Sequence, residues 1–164
     1  MIFFEPTPQF ITWLVKHADK RVIYDCGSGE AHLLKLLIAS RQRVIGIEPY
    51  WDIKEAYDPQ LPVIPMCVQE TSMLRKHTGL IVIARPDHSG WVEWIVENAH
   101  PESEILYISK PSNLEVDLPN SKYLQLKCPV CPVENVYQVQ RDPSRKLTGR
   151  RARTPNEVMA LLAL

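Results

Sequence analysis

Short apolar runs, rich in valine and isoleucine, recur along the chain with helix-like segments between them. Each run is almost continuously apolar, and together they occupy 22–25, 44–48, 63–68, 80–84 and 105–109. Such runs are typical of strands that are buried on both faces, as in a parallel sheet covered by helices. The pattern therefore predicts a parallel β-sheet at the centre of the molecule.

The segments between these runs carry apolar residues at helical spacing. Thr7 and Pro8 indicate a helix start, because threonine caps helices and proline suits the first helical position. We predict helices over 8–15, 30–39 and 89–99, with shorter helical pieces over 55–57 and 70–76. Strands that alternate with helices are joined by right-handed crossovers, so the predicted fold class is α/β with a doubly wound, mostly parallel sheet.

The pattern changes after residue 111. Two further strand-like runs, 123–127 and 136–141, flank a turn-rich segment that contains Pro129 and Pro132. Proline cannot donate a hydrogen bond to a sheet ladder, so this segment is a loop or the tip of a hairpin. The two runs therefore predict a C-terminal antiparallel hairpin that closes the sheet.

The chain length fits a single domain over 1–164, with a core at about 20–141. Residues 142–153 have little apolar content and are predicted to form a basic loop. Residues 154–164 begin with a capping box and predict a short apolar helix.

The charge is balanced overall but unevenly distributed. Lys+Arg and Asp+Glu are 19 each, whereas 141–153 has six bases and one acid, a net charge of +5. This basic segment could contact the phosphates of a nucleic acid, and the competing interpretation is a solvated loop. No apolar run approaches the roughly 18 residues of a membrane span, and residues 1–6 do not resemble a signal peptide.

The four cysteines are too few and too irregular for a disulfide framework, so we expect free thiols in the cytoplasm. Cys128 and Cys131 have the spacing of half a zinc site. A structural zinc needs four ligands, and the sequence offers no second pair. No metal site is therefore predicted.

A glycine-rich turn follows the first predicted strand. The sequence there is Asp25-Cys26-Gly27-Ser28-Gly29, and the second strand ends in Glu48-Pro49. The two glycines allow positive φ and a close backbone approach by a ligand. A carboxylate at the end of the second strand can accept hydrogen bonds from both ribose hydroxyls of an adenosine-containing cofactor.

The neighbouring residues discriminate between two classes of cofactor. Dinucleotide enzymes need a third glycine in this turn, where the chain has His32. Glu30 adds a negative charge beside the position of a pyrophosphate. Asp25 suits a sulfonium cofactor that carries an ammonium group. The residues therefore favour such a cofactor over NAD, which stays the weaker alternative.

With these motifs, residues 20–141 resemble the class I, Rossmann-like S-adenosylmethionine-dependent methyltransferases. The resemblance implies a seven-stranded sheet whose last two strands form an antiparallel hairpin. It implies that Asp25, Gly27 and Gly29 surround the methionine portion and that Glu48 holds the ribose. Gln69 or Glu70 would then lie beside the adenine, with a solvated helix start as the competing interpretation. The implied cofactor site is completed by Cys26, Ser28, Pro49 and Arg85.

The loop after the fourth strand would face the transferable methyl group in this fold. Asp87 or His88 could act there as a general base, because histidine titrates near neutrality. The competing interpretation is that Asp87 or Ser89 caps the following helix. The Pro-Pro motif of amino-methylating nucleic-acid enzymes and the Pro-Cys nucleophile of cytosine C5 enzymes are both absent.

The sequence thus predicts an S-adenosylmethionine-dependent methyltransferase whose acceptor is not identified. The chain has no insertion large enough for a substrate-recognition domain. This motivates an alternative, a non-catalytic methyltransferase-like module that acts as a partner subunit or homodimer. The short apolar helix over 154–164 could dock such a partner.

Overall fold

The computed structural model describes residues 5–86, 90–118, 121–128 and 134–141. Predictions for Asp87, His88, 142–153 and 154–164 lie outside the described residues. Within the described residues, no helix is long and apolar enough to cross a membrane.

Seven strands, five α-helices and one short 3-10 helix make up the described fold. The strands are β1 (Ile23–Cys26), β2 (Val44–Ile47), β3 (Val63–Ile64), β4 (Leu80–Ala84), β5 (Glu104–Ser109), β6 (Lys122–Leu126) and β7 (Asn135–Gln140). The helices are α1 (Pro8–Ala18), α2 (His32–Ala39), α3 (Met73–Lys76), α4 (Trp91–Asn98) and α5 (Pro111–Asp117), and the 3-10 helix is Trp51–Ile53.

All seven strands form one sheet in the order β3-β2-β1-β4-β5-β7-β6. The first five strands are parallel, and β7 is antiparallel to both β5 and β6. The strand order reverses between β1 and β4. Ligands of open α/β sheets bind at such a switch point, outside the carboxyl ends of the strands. The predicted doubly wound sheet with a C-terminal antiparallel hairpin is confirmed.

The core consists of two apolar layers, one on each face of the sheet. Alternate residues of β4 enter opposite layers, with Leu80 and Val82 in one and Ile81 and Ile83 in the other. All four are fully buried. This two-sided burial explains why the strand is continuously apolar in sequence.

Helix α1 begins where the sequence predicts. The Thr7 hydroxyl accepts a hydrogen bond from the Phe10 backbone N–H over 3.1 Å, and Pro8 occupies the first helical position. Phe10 and Leu14 are fully buried against the sheet. The helix therefore covers one face of the sheet.

Two predicted elements are wrong in extent or place. The third strand ends at Ile64 instead of Val68, because Pro65 has no N–H to donate to the ladder. The helical piece predicted over 55–57 is wrong, because the short helix lies at Trp51–Ile53 instead. Lys54 then takes an extended conformation and ends it.

Helix α5 was not predicted. Its sequence signals are Pro111 at the first helical position and two apolar residues four apart, Leu114 and Leu118. Both leucines are buried, at 1% and 2% exposure. Pro111 marks the change in the alternating pattern along the chain, and in the structure it starts a helix.

Candidate functional site

The glycine turn joins β1 to α2 at the carboxyl edge of the sheet. Gly27 and Gly29 have φ angles of +72° and +55°, a region that glycine occupies without steric strain. The Gly27 N–H donates to the Ile47 carbonyl over 2.8 Å, and the Ser28 hydroxyl donates to the Asp25 carbonyl over 2.9 Å. The turn is thereby fixed against the ends of β1 and β2.

The two glycines differ in the space around them. A Cβ atom on Gly27 would lie 3.1 Å from the indole ring of Trp91, the first residue of α4. A Cβ atom on Gly29 would meet no atom within 4 Å. One side of the turn is therefore packed by Trp91, and the other side leaves the backbone open to a ligand.

Glu48 follows β2 and is only 8% exposed. Its Oε2 atom accepts a hydrogen bond from the Gly29 N–H over 2.9 Å. Its Oε1 atom lies 3.6 Å from the Lys54 ammonium nitrogen. The predicted pairing of the glycine turn with the acid after the second strand is therefore a direct contact.

Asp25, in β1, is 3% exposed, and its Oδ2 atom has no hydrogen-bond partner. Burial, with the Glu48 carboxylate as a second cause, raises the pKa of Asp25 to about 7. A buried carboxyl without a partner is costly unless a ligand supplies hydrogen bonds or positive charge. The carboxyl groups at the ends of β1 and β2 are thus close enough to interact electrostatically.

The remaining residues predicted beside the cofactor occupy different environments. The Cys26 side chain is fully buried in the core, and burial raises the pKa of its thiol. Pro49 is half-buried in the turn after Glu48. Gln69 and Glu70 are half-buried in the turn before α3. Among the described residues, no hydrogen bond links either to the glycine turn.

Arg85 follows β4 and has a φ angle of +46°, which is unusual for a residue other than glycine. Its N–H donates to the Ile108 carbonyl over 2.8 Å. Its guanidinium Nε donates to Glu134, which is 5% exposed and precedes β7. Glu134 carries no signal in the sequence, because only the strand order brings it close to Arg85.

Arg141 begins the basic segment that is predicted to contact phosphates. Its guanidinium instead donates to backbone carbonyls of the loop after α4, at Ala99 over 2.9 Å and His100 over 2.6 Å. Burial lowers its pKa. Its role is therefore structural, and the rest of that segment lies outside the described residues.

Three cysteines are described, Cys26, Cys67 and Cys128, and all are free thiols. Cys131 lies outside the described residues. The part of the chain that the structure describes contains no group of three histidine, cysteine or acidic side chains that could hold a metal ion.

This sheet order and glycine turn define the fold of the class I S-adenosylmethionine-dependent methyltransferases, and comparison with known proteins agrees. No family model and no curated protein matches the sequence. Among solved structures, a protein from Sulfolobus solfataricus described as a type 11 methyltransferase aligns with TM-score 0.62 and 15% identity, over 85% of this chain and 96% of the other.

Two further structures show the same fold. The 23S rRNA methyltransferase ErmE aligns with TM-score 0.57 and 13% identity, over 85% of this chain and 70% of ErmE. A mutant of MtNAS in complex with S-adenosylmethionine aligns with TM-score 0.55 and 15% identity, over 82% of this chain and 62% of MtNAS. This chain therefore spans less than two thirds of MtNAS.

Proposed function

We propose that this chain binds S-adenosylmethionine across the carboxyl ends of β1 and β2 and transfers its methyl group. The observation that carries the proposal is the pair of buried carboxyl groups, Asp25 and Glu48, beside a glycine turn with open space at Gly29. Asp25, whose Oδ2 atom has no hydrogen-bond partner, needs a ligand that supplies positive charge or hydrogen-bond donors.

The cofactor matches that need at both ends. Its amino-acid portion carries an ammonium group, which ionised Asp25 would attract. Its ribose carries two hydroxyl groups, which would donate to Glu48. The open backbone at Gly29 gives the adenosyl portion room to approach. Gln69 and Glu70, at the same edge of the sheet, stay predictions for the adenine contact.

A dinucleotide fits this site less well. Its pyrophosphate would lie at the start of α2, close to the two acidic side chains Asp25 and Glu48. Helix α2 begins at His32, and its lysine, Lys35, is an exposed residue one turn further along. Negative charge of the ligand would therefore meet negative charge of the protein.

The methyl transfer itself requires little acid–base catalysis from the protein. The bound cofactor supplies a methyl group on a sulfonium, which is already a good leaving group. Alignment of the acceptor nucleophile with the methyl carbon can then dominate the rate. Asp87 and His88 stay predictions for a general base at the loop after β4.

The acceptor is not identified by the site. Residues 142–153 hold five bases and one acid, a net charge of +4, which favours phosphate contact. One neighbour of the same fold is named as a 23S rRNA methyltransferase. An RNA acceptor is therefore a reasonable first class of substrate for activity assays. The cytoplasmic location suggested by the free thiols stays a prediction.

The first test is thermal unfolding of the full chain with S-adenosylhomocysteine, S-adenosylmethionine or NADH. A ligand at 100 times its Kd stabilises a protein by about 2.7 kcal/mol. For a domain of this size, the midpoint should rise by roughly 5–10 °C. We expect this rise with the two adenosyl ligands and not with NADH.

The Glu48→Ala variant should lose most of the rise, measured from its own ligand-free midpoint. Glu55→Ala, which removes an exposed acid nearby, is the matched control and should keep the rise. No rise with any ligand would refute the cofactor assignment. Binding without methyl transfer to RNA or protein extracts would favour the non-catalytic module.

A further inference from the structure

A second group of polar side chains lies at the carboxyl edge of the sheet, beyond the glycine turn. Ser109 ends β5, and Asn135 begins β7 opposite it in the strand register. Ser109 is 1% exposed, and its hydroxyl oxygen accepts a hydrogen bond from Asn113 over 3.2 Å. This edge is therefore polar on both sides of the point where the sheet order reverses.

The ion pair between Arg85 and Glu134 belongs to this group. Arg85 follows β4, Glu134 precedes β7, and β5 lies between these strands. The pair therefore bridges over the end of β5. Because adjacent strands are about 4.8 Å apart, Glu134 is anchored roughly 14 Å from β1, three strands away. The Arg85 side chain thus extends away from the proposed cofactor site.

The two partners of this pair differ in exposure. The Glu134 side chain is 4% exposed and the Arg85 side chain is 35% exposed. Glu134 binds the Nε atom, and no other described residue accepts a hydrogen bond from the guanidinium. The two terminal nitrogens have no acceptor among the described residues, and their fork geometry fits a carboxylate or a phosphate.

The backbone at Arg85 is fixed as well as its side chain, in a left-handed conformation. The left-handed conformation costs about 1 kcal/mol or more for a residue with a Cβ atom. The hydrogen bond from its N–H to Ile108 compensates part of this cost. Strained residues that the surrounding structure holds in place occur frequently at ligand sites. Arg85 directly follows β4, the strand next to β1.

We propose that Arg85, oriented by Glu134, recognises a carboxylate or phosphate group on the methyl acceptor. This inference rests on the proposed function, because the acceptor side is defined relative to a cofactor at β1 and β2. From the sequence, Arg85 is predicted to contact the cofactor. Because its side chain extends toward β7, away from β1 and β2, we assign Arg85 to the acceptor instead. The carboxylate of the cofactor is the other source of the same chemistry.

The first arm of the test titrates the ¹⁵N-labelled full chain with inorganic phosphate and with acetate. The NMR signals of the Arg85 Nε–H and the Ser109 amide should shift and saturate. Arg85→Lys keeps the charge beside Glu134 but loses the fork, so anion affinity should fall about tenfold. Arg75→Lys, a half-exposed arginine of α3, is the matched control and should bind as the wild type does.

The second arm compares S-adenosylhomocysteine with 5′-methylthioadenosine, which lacks the amino-acid carboxylate, by calorimetry. Arg85→Lys should bind both ligands with wild-type affinity. Weaker binding of S-adenosylhomocysteine alone would assign Arg85 to the cofactor and overturn the inference. Absence of any saturable anion effect would overturn it as well. A chain that binds phosphate but not S-adenosylhomocysteine would refute the proposed function and leave the anion site standing.

Discussion

Carboxylates lie at both edges of the sheet, but Asp25 at the carboxyl edge lacks the partners that Glu104 has at the amino edge. At the amino edge, Glu104 begins β5. Its Oε2 atom lies 2.8 Å from His17 Nε2 and accepts a hydrogen bond from Gln138 over 2.8 Å. Its Oε1 atom lies 2.9 Å from Arg21. The charge is compensated within the protein.

At the carboxyl edge, Asp25 has an oxygen without a partner, and the charged group that raises its pKa is another acid, Glu48. The contrast also appears in the direction of the pKa shifts. Burial alone would raise the pKa of Glu104, but hydrogen bonds from His17, Gln138 and Arg21 lower it overall. The pKa of Asp25 is raised. The charge of Glu104 is compensated by the fold, whereas Asp25 needs a ligand.

The largest expected effect follows from removing the compensated acid. Glu104→Ala should lower the free energy of unfolding by about 3 kcal/mol at neutral pH, because it leaves three donors without their acceptor. A carboxyl with a lowered pKa stabilises the fold above its unfolded pKa and loses this contribution as the pH falls through the folded pKa. Urea unfolding should therefore show the loss at pH 7 and little of it near pH 3.

Glu102→Ala, in the exposed turn before β5, is the matched control and should change stability by less than about 0.5 kcal/mol. A loss of similar size in both variants would contradict the structural role of Glu104.

Removing the charge of Asp25 should stabilise the fold, which is the opposite of the effect expected at Glu104. A carboxyl whose pKa rises from 3.8 to about 7 on folding opposes folding increasingly between these values and fully above them. At pH 8, the raised pKa lowers the free energy of unfolding by up to roughly 4 kcal/mol. Asp25→Asn removes the charge but leaves a buried amide, so we expect a net gain of about 2 kcal/mol.

The gain should be measured by urea unfolding of the ligand-free chain at pH 8 and pH 4, and it should be small at pH 4. Asp52→Asn, at an exposed position, is the matched control and should leave both values unchanged. An equal gain at both pH values would mean that the charge of Asp25 is not its cause. A loss of stability at pH 8 would contradict the comparison between the two edges.

The carboxyl edge was largely predictable from the sequence because its parts are close along the chain. Gly29 and Glu48 are 19 residues apart and directly bonded, within one strand–helix–strand unit whose geometry is stereotyped. The amino edge was not predictable. Glu104 lies 87 residues from His17, and only the finished sheet brings the two together.

Burial and separation along the chain also decide which other features are predictable from the sequence. Strand β4 has the predicted bounds, because burial on both faces leaves a continuous apolar run that ends where burial ends. Arg85 and Glu134 are 49 residues apart, and their contact depends on β7 inserting next to β5. A charged residue beside a strand carries no local signal of its partner.

The substitution with the smallest expected effect on stability distinguishes a defect in folding from a defect in cofactor binding at the carboxyl edge. Gly29→Ala strains one residue with φ +55° but meets no atom within 4 Å, so it should cost only about 1 kcal/mol of stability. The added methyl group would occupy the space proposed for the cofactor. Affinity for S-adenosylhomocysteine should therefore fall about tenfold or more, as measured by calorimetry.

Gly90→Ala is the matched control, since Gly90 has φ +77° and equally open surroundings. It should have a similar cost in stability without a change in affinity. Gly27→Ala should lose more stability than either, because its Cβ atom would press on Trp91 at 3.1 Å. If Gly29→Ala and Gly90→Ala lowered affinity equally, the open side of the glycine turn would not be where the cofactor lies. The unpartnered carboxyl of Asp25 would then need another ligand.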